Sequence, residues 1–197
     1  KPQMLPAVLQ EIREALPPPA LLISIAAGVR TSKIEQALGD ERRVVRIMPN
    51  VAALVGLAAS AICGGRHATA YDLETAAELA AASGTVVRVN EDDMDAVTAL
   101  SGSGPAYVFF LVESMLASAA EFGLAPDVAR RLVVATVAGA ARLLEETGLE
   151  ARELRRRVTS EKGTTDAAIR AMEARGVPDA LRAAFAAARR RSQELSA

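Results

Sequence analysis

From residue 1 to about residue 90, short runs of consecutive apolar residues alternate with stretches whose apolar positions recur every three or four residues. The runs are LLISI (21–25), VVRIM (44–48), ASAICGG (59–65) and TVVRV (85–89), and the helix-period stretches include SKIEQALG (32–39) and YDLETAAELAAAS (71–83). The order is β-α-β. Several runs are continuously apolar rather than alternating, so their strands need helices over both faces of a mostly parallel sheet. Ser32 and Glu35 have capping-box spacing, and Gly39 and Gly84 stand where helices should stop.

After Asn90 the strand rhythm does not return. Helical periods cover 91–100, 105–122, 127–146, 150–157, 165–175 and 179–195. Pro105, Pro126 and Pro178 fall at first-turn positions, where a missing N–H costs nothing, and Gly123, Gly148 and Gly176 close helices. The pattern predicts an α/β domain over residues 1–90 followed by an all-helical domain over 91–197. The two longest helical stretches are apolar around most of their circumference: Val108, Phe109, Phe110, Leu111, Met115 and Leu116 crowd the first, and Val128, Leu132, Val133, Val134, Val137 and Leu144 the second. Such helices must be buried on several sides. A half-chain of this size offers few neighbours for two of them, so an obligate homodimer through the helical half is expected.

Composition fits a helix-rich protein with an aliphatic core: 51% of the 197 residues are hydrophobic, 3% are aromatic and tryptophan is absent. The 23 basic and 24 acidic residues leave a net charge of −1, which gives no electrostatic footprint for nucleic acid or a membrane surface. A single cysteine, Cys63, and a single histidine, His67, provide neither an internal disulfide nor a zinc or iron ligand set, as suits a reducing cytosol. The opening KPQMLPAVLQEIREAL carries charges where a signal peptide needs an apolar run, so a soluble protein is expected. The basic runs Arg155–Arg157 and Arg189–Arg191 have glutamates close by and read as solvated helix faces.

An α/β half followed by a helical half is a layout of dinucleotide-dependent dehydrogenases, but no G-x-G-x-x-G loop is present. In the one G-x-G, Gly102 to Gly104, the third glycine position is Tyr107 and the preceding pattern is helical, which suits a tight helix–helix joint. Nucleophilic serine chemistry finds no support, because G-x-S-x-G is missing and His67 lies in the polar turn GGRHAT. VTSEKGTTDAAI (158–169) is better placed. Gly163 permits close backbone approach, and the N–H groups of Thr164 and Thr165 at a helix start favour negative charge. Two readings stay open there: a pocket for a small carboxylate, or a plain helix cap in which a threonine side chain satisfies its own helix.

In their order along the chain, KPQ, SIAAGV (24–29), VVRIMPN (44–50), DAVTALSGSGPAYVF (95–109) and ETG followed by VTSEKGTT resemble the pyrroline-5-carboxylate reductases. The resemblance spans nearly the whole chain. It implies a Rossmann-like dinucleotide domain followed by a helical dimerisation domain, and transfer of hydride from NADPH or NADH to the C=N carbon of 1-pyrroline-5-carboxylate, giving L-proline. It places the substrate carboxylate on Ser160 and on the backbone of Gly163, Thr164 and Thr165. The Thr165 hydroxyl would reach the ring nitrogen as the catalytic contact, with Glu91 lining the same pocket. Lys1, Pro2, Ala26, Ala27 and Gly28 would face the dinucleotide, and Met48, Pro49 and Asn50 would close its crevice. No metal is implied. The family interlocks its helices between protomers, completes each active site from both, and assembles as dimers or oligomers of dimers in the cytoplasm, without nucleic acid or membrane.

Two departures from the family bear on these expectations. Its chains open with a strand and a G-x-G-x-x-G loop before the KP segment, so roughly 60 residues are expected upstream of Lys1, and residues 1–197 alone are expected to bind dinucleotide weakly or not at all. The family usually carries Pro-Gly where this chain has Glu161 and Lys162, and if position 162 needs φ > 0 a lysine there costs about 1 kcal/mol or more. Two other readings compete. A β-hydroxyacid-type dehydrogenase relies on a catalytic lysine in the first interdomain helices, and no lysine lies between Lys33 and Lys162. A non-catalytic dimerisation module would need no phosphate loop.

Overall fold

The computed structural model describes residues 4–17, 19–39 and 41–196. Two compact units divide the chain: the first comprises Lys1–Pro105 with Ala184–Ala197, and the second Ala106–Ala183. The helical succession begins at Glu91, within the first unit, and the end of the last helix returns to that unit.

In the first unit, α1 (Leu5–Ile12), β1 (Leu21–Ser24), α2 (Thr31–Leu38), β2 (Arg43–Met48), β3 (Ala58–Gly64), α3 (Ala70–Ala81) and β4 (Gly84–Arg88) follow one another. The sheet order is β1-β2-β3-β4. Pairs β1–β2 and β3–β4 are parallel, each joined through a helix, while β2 and β3 are antiparallel and joined by the short 3-10 turn Val51–Val55. Alternation along β2 explains its unbroken apolar reading. Val45 and Ile47 pack with Ile62 and with Ala76 and Ala80 of α3, whereas Val44 packs with Leu9, Ile34 and Leu38 of α1 and α2. Neighbouring residues of one strand thus serve two cores on opposite faces.

Two local expectations are corrected here. The Ser32–Glu35 capping box does not form, because α2 starts at Thr31 with Arg30 as N-cap and no local side-chain cap. Its first N–H is instead taken by Glu91, sixty residues away, and Glu35 accepts from the Arg66 N–H at 2.6 Å. The capping box that does form is Thr69 with Asp72 at the start of α3. Gly84 does not close α3, whose C-cap is Ala82, but opens β4 at φ 148°. A Cβ there would stand 2.2 Å from the Ala58 carbonyl oxygen, so glycine is what allows β3 and β4 to approach at this end. The expected stops at Gly39, Gly123, Gly148 and Gly176 are all present, each with positive φ.

Beyond β4, a 3-10 turn (Glu91–Asp93) leads into α4 (Met94–Val97) and a π-helical turn (Thr98–Gly102). Gly102 serves a different joint from the one its spacing suggests. A Cβ on it would meet the Met48 side chain at 2.5 Å, so the close approach is between the π turn and the end of β2 rather than between two helices. Then come α5 (Gly104–Glu121), α6 (Pro126–Thr147), α7 (Ala151–Arg157), α8 (Thr164–Ala174) and α9 (Val177–Ser196). The last turns of α9 are fastened inside the first unit, where the Ser192 and Ser196 hydroxyls donate to buried Asp95 Oδ1 at 2.6 and 3.2 Å. In the second unit only Ala119, Ala129 and Val133 of α5 and α6 are buried, and Phe109, Phe110 and Leu132 are left exposed.

Candidate functional site

The loop between α7 and α8, in the second unit, builds the better-defined candidate site. Gly163 is the N-cap of α8, in extended conformation, and has no side chain with which to cap. Thr164 and Thr165 are the first two helical residues. The N–H groups of Thr164, Thr165 and Asp166 and the Thr165 hydroxyl donate to no group among the described residues. A threonine capping its own helix is therefore not what the sequence builds. The α8 terminus keeps its donors free, where the helix dipole favours an anion.

Ser160 is folded over this terminus. Its carbonyl accepts from the Gly163 N–H at 3.0 Å, and a Cβ on Gly163 would come within 2.4 Å of its hydroxyl. Glycine at position 163 thus lets the Ser160 hydroxyl lie beside the free amides. Asp166 brings a negative charge to the same turn, but its carboxylate accepts the Lys162 N–H at 3.2 Å and pairs with Arg170 at 3.0 Å. Lys162 has φ 59°, the one positive φ outside glycine among the described residues. The position conventionally given to glycine is thus left-handed here while carrying a lysine. Lys162→Gly is expected to raise unfolding stability by about 1 kcal/mol, a gain checked by denaturant titration.

The basic run of α7 is solvated. Arg156 and Arg157 both bind Glu153, holding its carboxyl down to about 2, and Arg155 reaches Glu173.

Glu91 belongs to the first unit, and its carboxylate is fully engaged there. Oε1 accepts from Arg46 at 2.5 Å. Oε2 accepts from the Thr31 N–H at 3.0 Å, the Thr31 hydroxyl at 2.7 Å and the Cys63 thiol at 3.6 Å. Arg46 is 1% exposed and donates to Glu91 through Nη1, while its Nε and Nη2 have no hydrogen-bond partner among the described residues. Burial and the neighbouring Glu91 charge push the Cys63 thiol up to about 12, so it stays neutral. This network was not legible in the sequence, since its members lie on α2, β2, β3 and the turn after β4.

Ala26, Ala27 and Gly28 follow β1 at the end where the parallel strands β1 and β2 finish, the side on which open α/β sheets bind ligands. The Ala26 N–H is held by the Ser24 hydroxyl at 3.3 Å, and Gly28 has φ 70°. A Cβ on Gly28 would strike Leu195 at 2.8 Å, so this glycine also admits the end of α9. At the end of β2, Asn50 Oδ1 caps the Val51–Val55 turn and its Nδ2 donates to the Ser101 carbonyl. The small side chains and free strand ends fit a dinucleotide. Lys1 and Pro2 lie outside the described residues. Among the described residues, no three His, Cys, Asp or Glu side chains converge as a metal would require.

Residues 91–195 match the family model described as pyrroline-5-carboxylate reductase dimerisation. This supports self-association of the chain. It also bears on the helical succession Glu91–Glu121, which by length and composition alone could cross a membrane. The pyrroline-5-carboxylate reductase of Methanosarcina acetivorans is 46% identical over 99% of this chain and 72% of its own length. That of Pseudomonas aeruginosa is 42% identical over the whole chain and 72% of its own. Among solved structures, the NADP-bound pyrroline carboxylate reductase of Plasmodium falciparum superposes with a TM-score of 0.94 at 28% identity, covering all of this chain and 79% of its own. The Coxiella burnetii pyrroline-5-carboxylate reductase gives 0.91 at 36% identity, covering all of this chain and 73% of its own. With relatives this similar across its entire length, the chain belongs to the pyrroline-5-carboxylate reductase family.

Proposed function

We infer that the protein reduces 1-pyrroline-5-carboxylate to L-proline with NADPH or NADH, the last step of proline biosynthesis, as a homodimer, or an oligomer of dimers, in the cytoplasm. The observation that carries this reading is the uncapped start of α8, where free amides meet the Ser160 hydroxyl beside a glycine too crowded to bear a side chain. A substrate carboxylate completes the hydrogen bonds that the chain leaves open there. Ala26–Gly28 and Met48–Asn50 are the residues that would hold the reduced nicotinamide cofactor, which would supply the hydride for the C=N carbon. The residues of the chain do the positioning. Ser160 and the amides of Thr164 and Thr165 fix the carboxylate, and the Thr165 hydroxyl meets the ring nitrogen, which carries a proton while the C=N carbon accepts the hydride. Within the dinucleotide-binding half, Glu91 holds Arg46 and the start of α2 in place.

Oxidation of NADPH or NADH by the full-length protein on addition of 1-pyrroline-5-carboxylate is the test. Turnover with a 3-hydroxy acid instead would favour the β-hydroxyacid reading, and absence of any turnover would favour a non-catalytic module.

A further inference from the structure

We propose that the Val51–Leu57 segment, in the dinucleotide-binding half, is part of the surface on which the second copy of this chain docks, extending the dimer interface beyond the helical half. The inference rests on the dimeric reading above. No charged residue occurs between Arg46 and Arg66. Within that stretch Leu54 is 85% exposed and Leu57 75%, and Val51 and Val55 are also exposed. Four large aliphatic side chains on seven residues form a concentrated apolar patch rather than scattered surface residues.

The segment is built as a fixed shape. Asn50 caps its start, Gly56 in the left-handed region closes it, and the Leu57 N–H returns to the Ala52 carbonyl at 3.0 Å. Continuity with the dimerisation region selects the occupant. Asn50 Nδ2 binds the Ser101 carbonyl at 3.0 Å, and Met48 packs on Gly102. Both contacts fall on the π turn inside residues 91–195, beside exposed Leu100. The patch thus borders the start of the segment through which the family dimerises, and a second copy already bound there covers it without a further partner. In a two-fold interface the patch is used twice, so each substitution counts twice.

Cross-linking tests this directly. Cys63 is buried, so in the full-length Leu54→Cys variant the introduced thiol is the one reactive thiol among the described residues, and the unsubstituted protein treated with the same maleimide-linked photo-cross-linker serves as the control. Irradiation is expected to give a species of twice the chain mass, and Leu54→Ser with Leu57→Ser is expected to weaken dimerisation at least tenfold in sedimentation, with far-ultraviolet dichroism unchanged. A protein that sediments as a dimer yet yields only internal cross-links would overturn the proposal and leave the dimer standing. So would unchanged dimerisation with a raised KM for the dinucleotide, which would assign the patch to the cofactor. Sedimentation of the unaltered protein as a monomer would remove the dimer and this proposal together.

Discussion

Glu91→Ala is expected to destabilise the protein by about 3–5 kcal/mol, because it strands a buried charge. Arg46 is almost wholly enclosed, and Glu91 is the acceptor it reaches, with two further guanidinium N–H positions unpartnered. Removing the carboxylate also uncaps α2 and frees the Thr31 hydroxyl. Glu91→Gln keeps shape and part of the hydrogen bonding but not the charge, and should fall between wild type and Glu91→Ala. Replacing Arg46 with Met in the Glu91→Gln background should recover part of the loss, since no charge then remains to be stranded. Urea titration at fixed protein concentration measures all three. Losses below about 0.5 kcal/mol for Glu91→Ala would show that the pair carries no more weight than an exposed one.

Thr165→Ala is expected to lower turnover of 1-pyrroline-5-carboxylate by more than tenfold with the unfolding midpoint unchanged. A donor aimed at a charged reacting group is worth about 1.5–3 kcal/mol. The fold should not suffer, because the Thr165 hydroxyl makes no hydrogen bond among the described residues. Thr164→Ala should be milder, since its backbone N–H, which survives the substitution, is the group assigned to the carboxylate. Steady-state kinetics in the full-length protein separates the two. Wild-type kinetics for both variants would move the substrate site away from α8.

Each of these expectations turns on a group whose importance shows in a different way. Thr165 stands in a local pattern, a lone glycine followed by two threonines and a helical period, and the N-terminus of α8 falls within one residue of where that pattern puts it. Glu91 is one acid among three in a row, with nothing in its neighbourhood to mark it from Asp92 and Asp93.

By itself the sequence determined most of the elements: the four strands, α2 and α3 of the first half, the long helices of the second, the proline starts, and most of the glycine stops, though not α1. These depend on periodicity and backbone freedom within a few residues. It also determined the excess of apolar surface on α5 and α6, which one copy leaves uncovered. Tertiary structure alone decided which polar groups meet. It turned β3 antiparallel to β2, gave the α2 cap to Glu91 instead of Ser32, set Gly102 against Met48, and buried Asp95 beneath Ser192 and Ser196. A buried donor takes whichever acceptor the packing brings within reach, and sequence distance does not enter that choice.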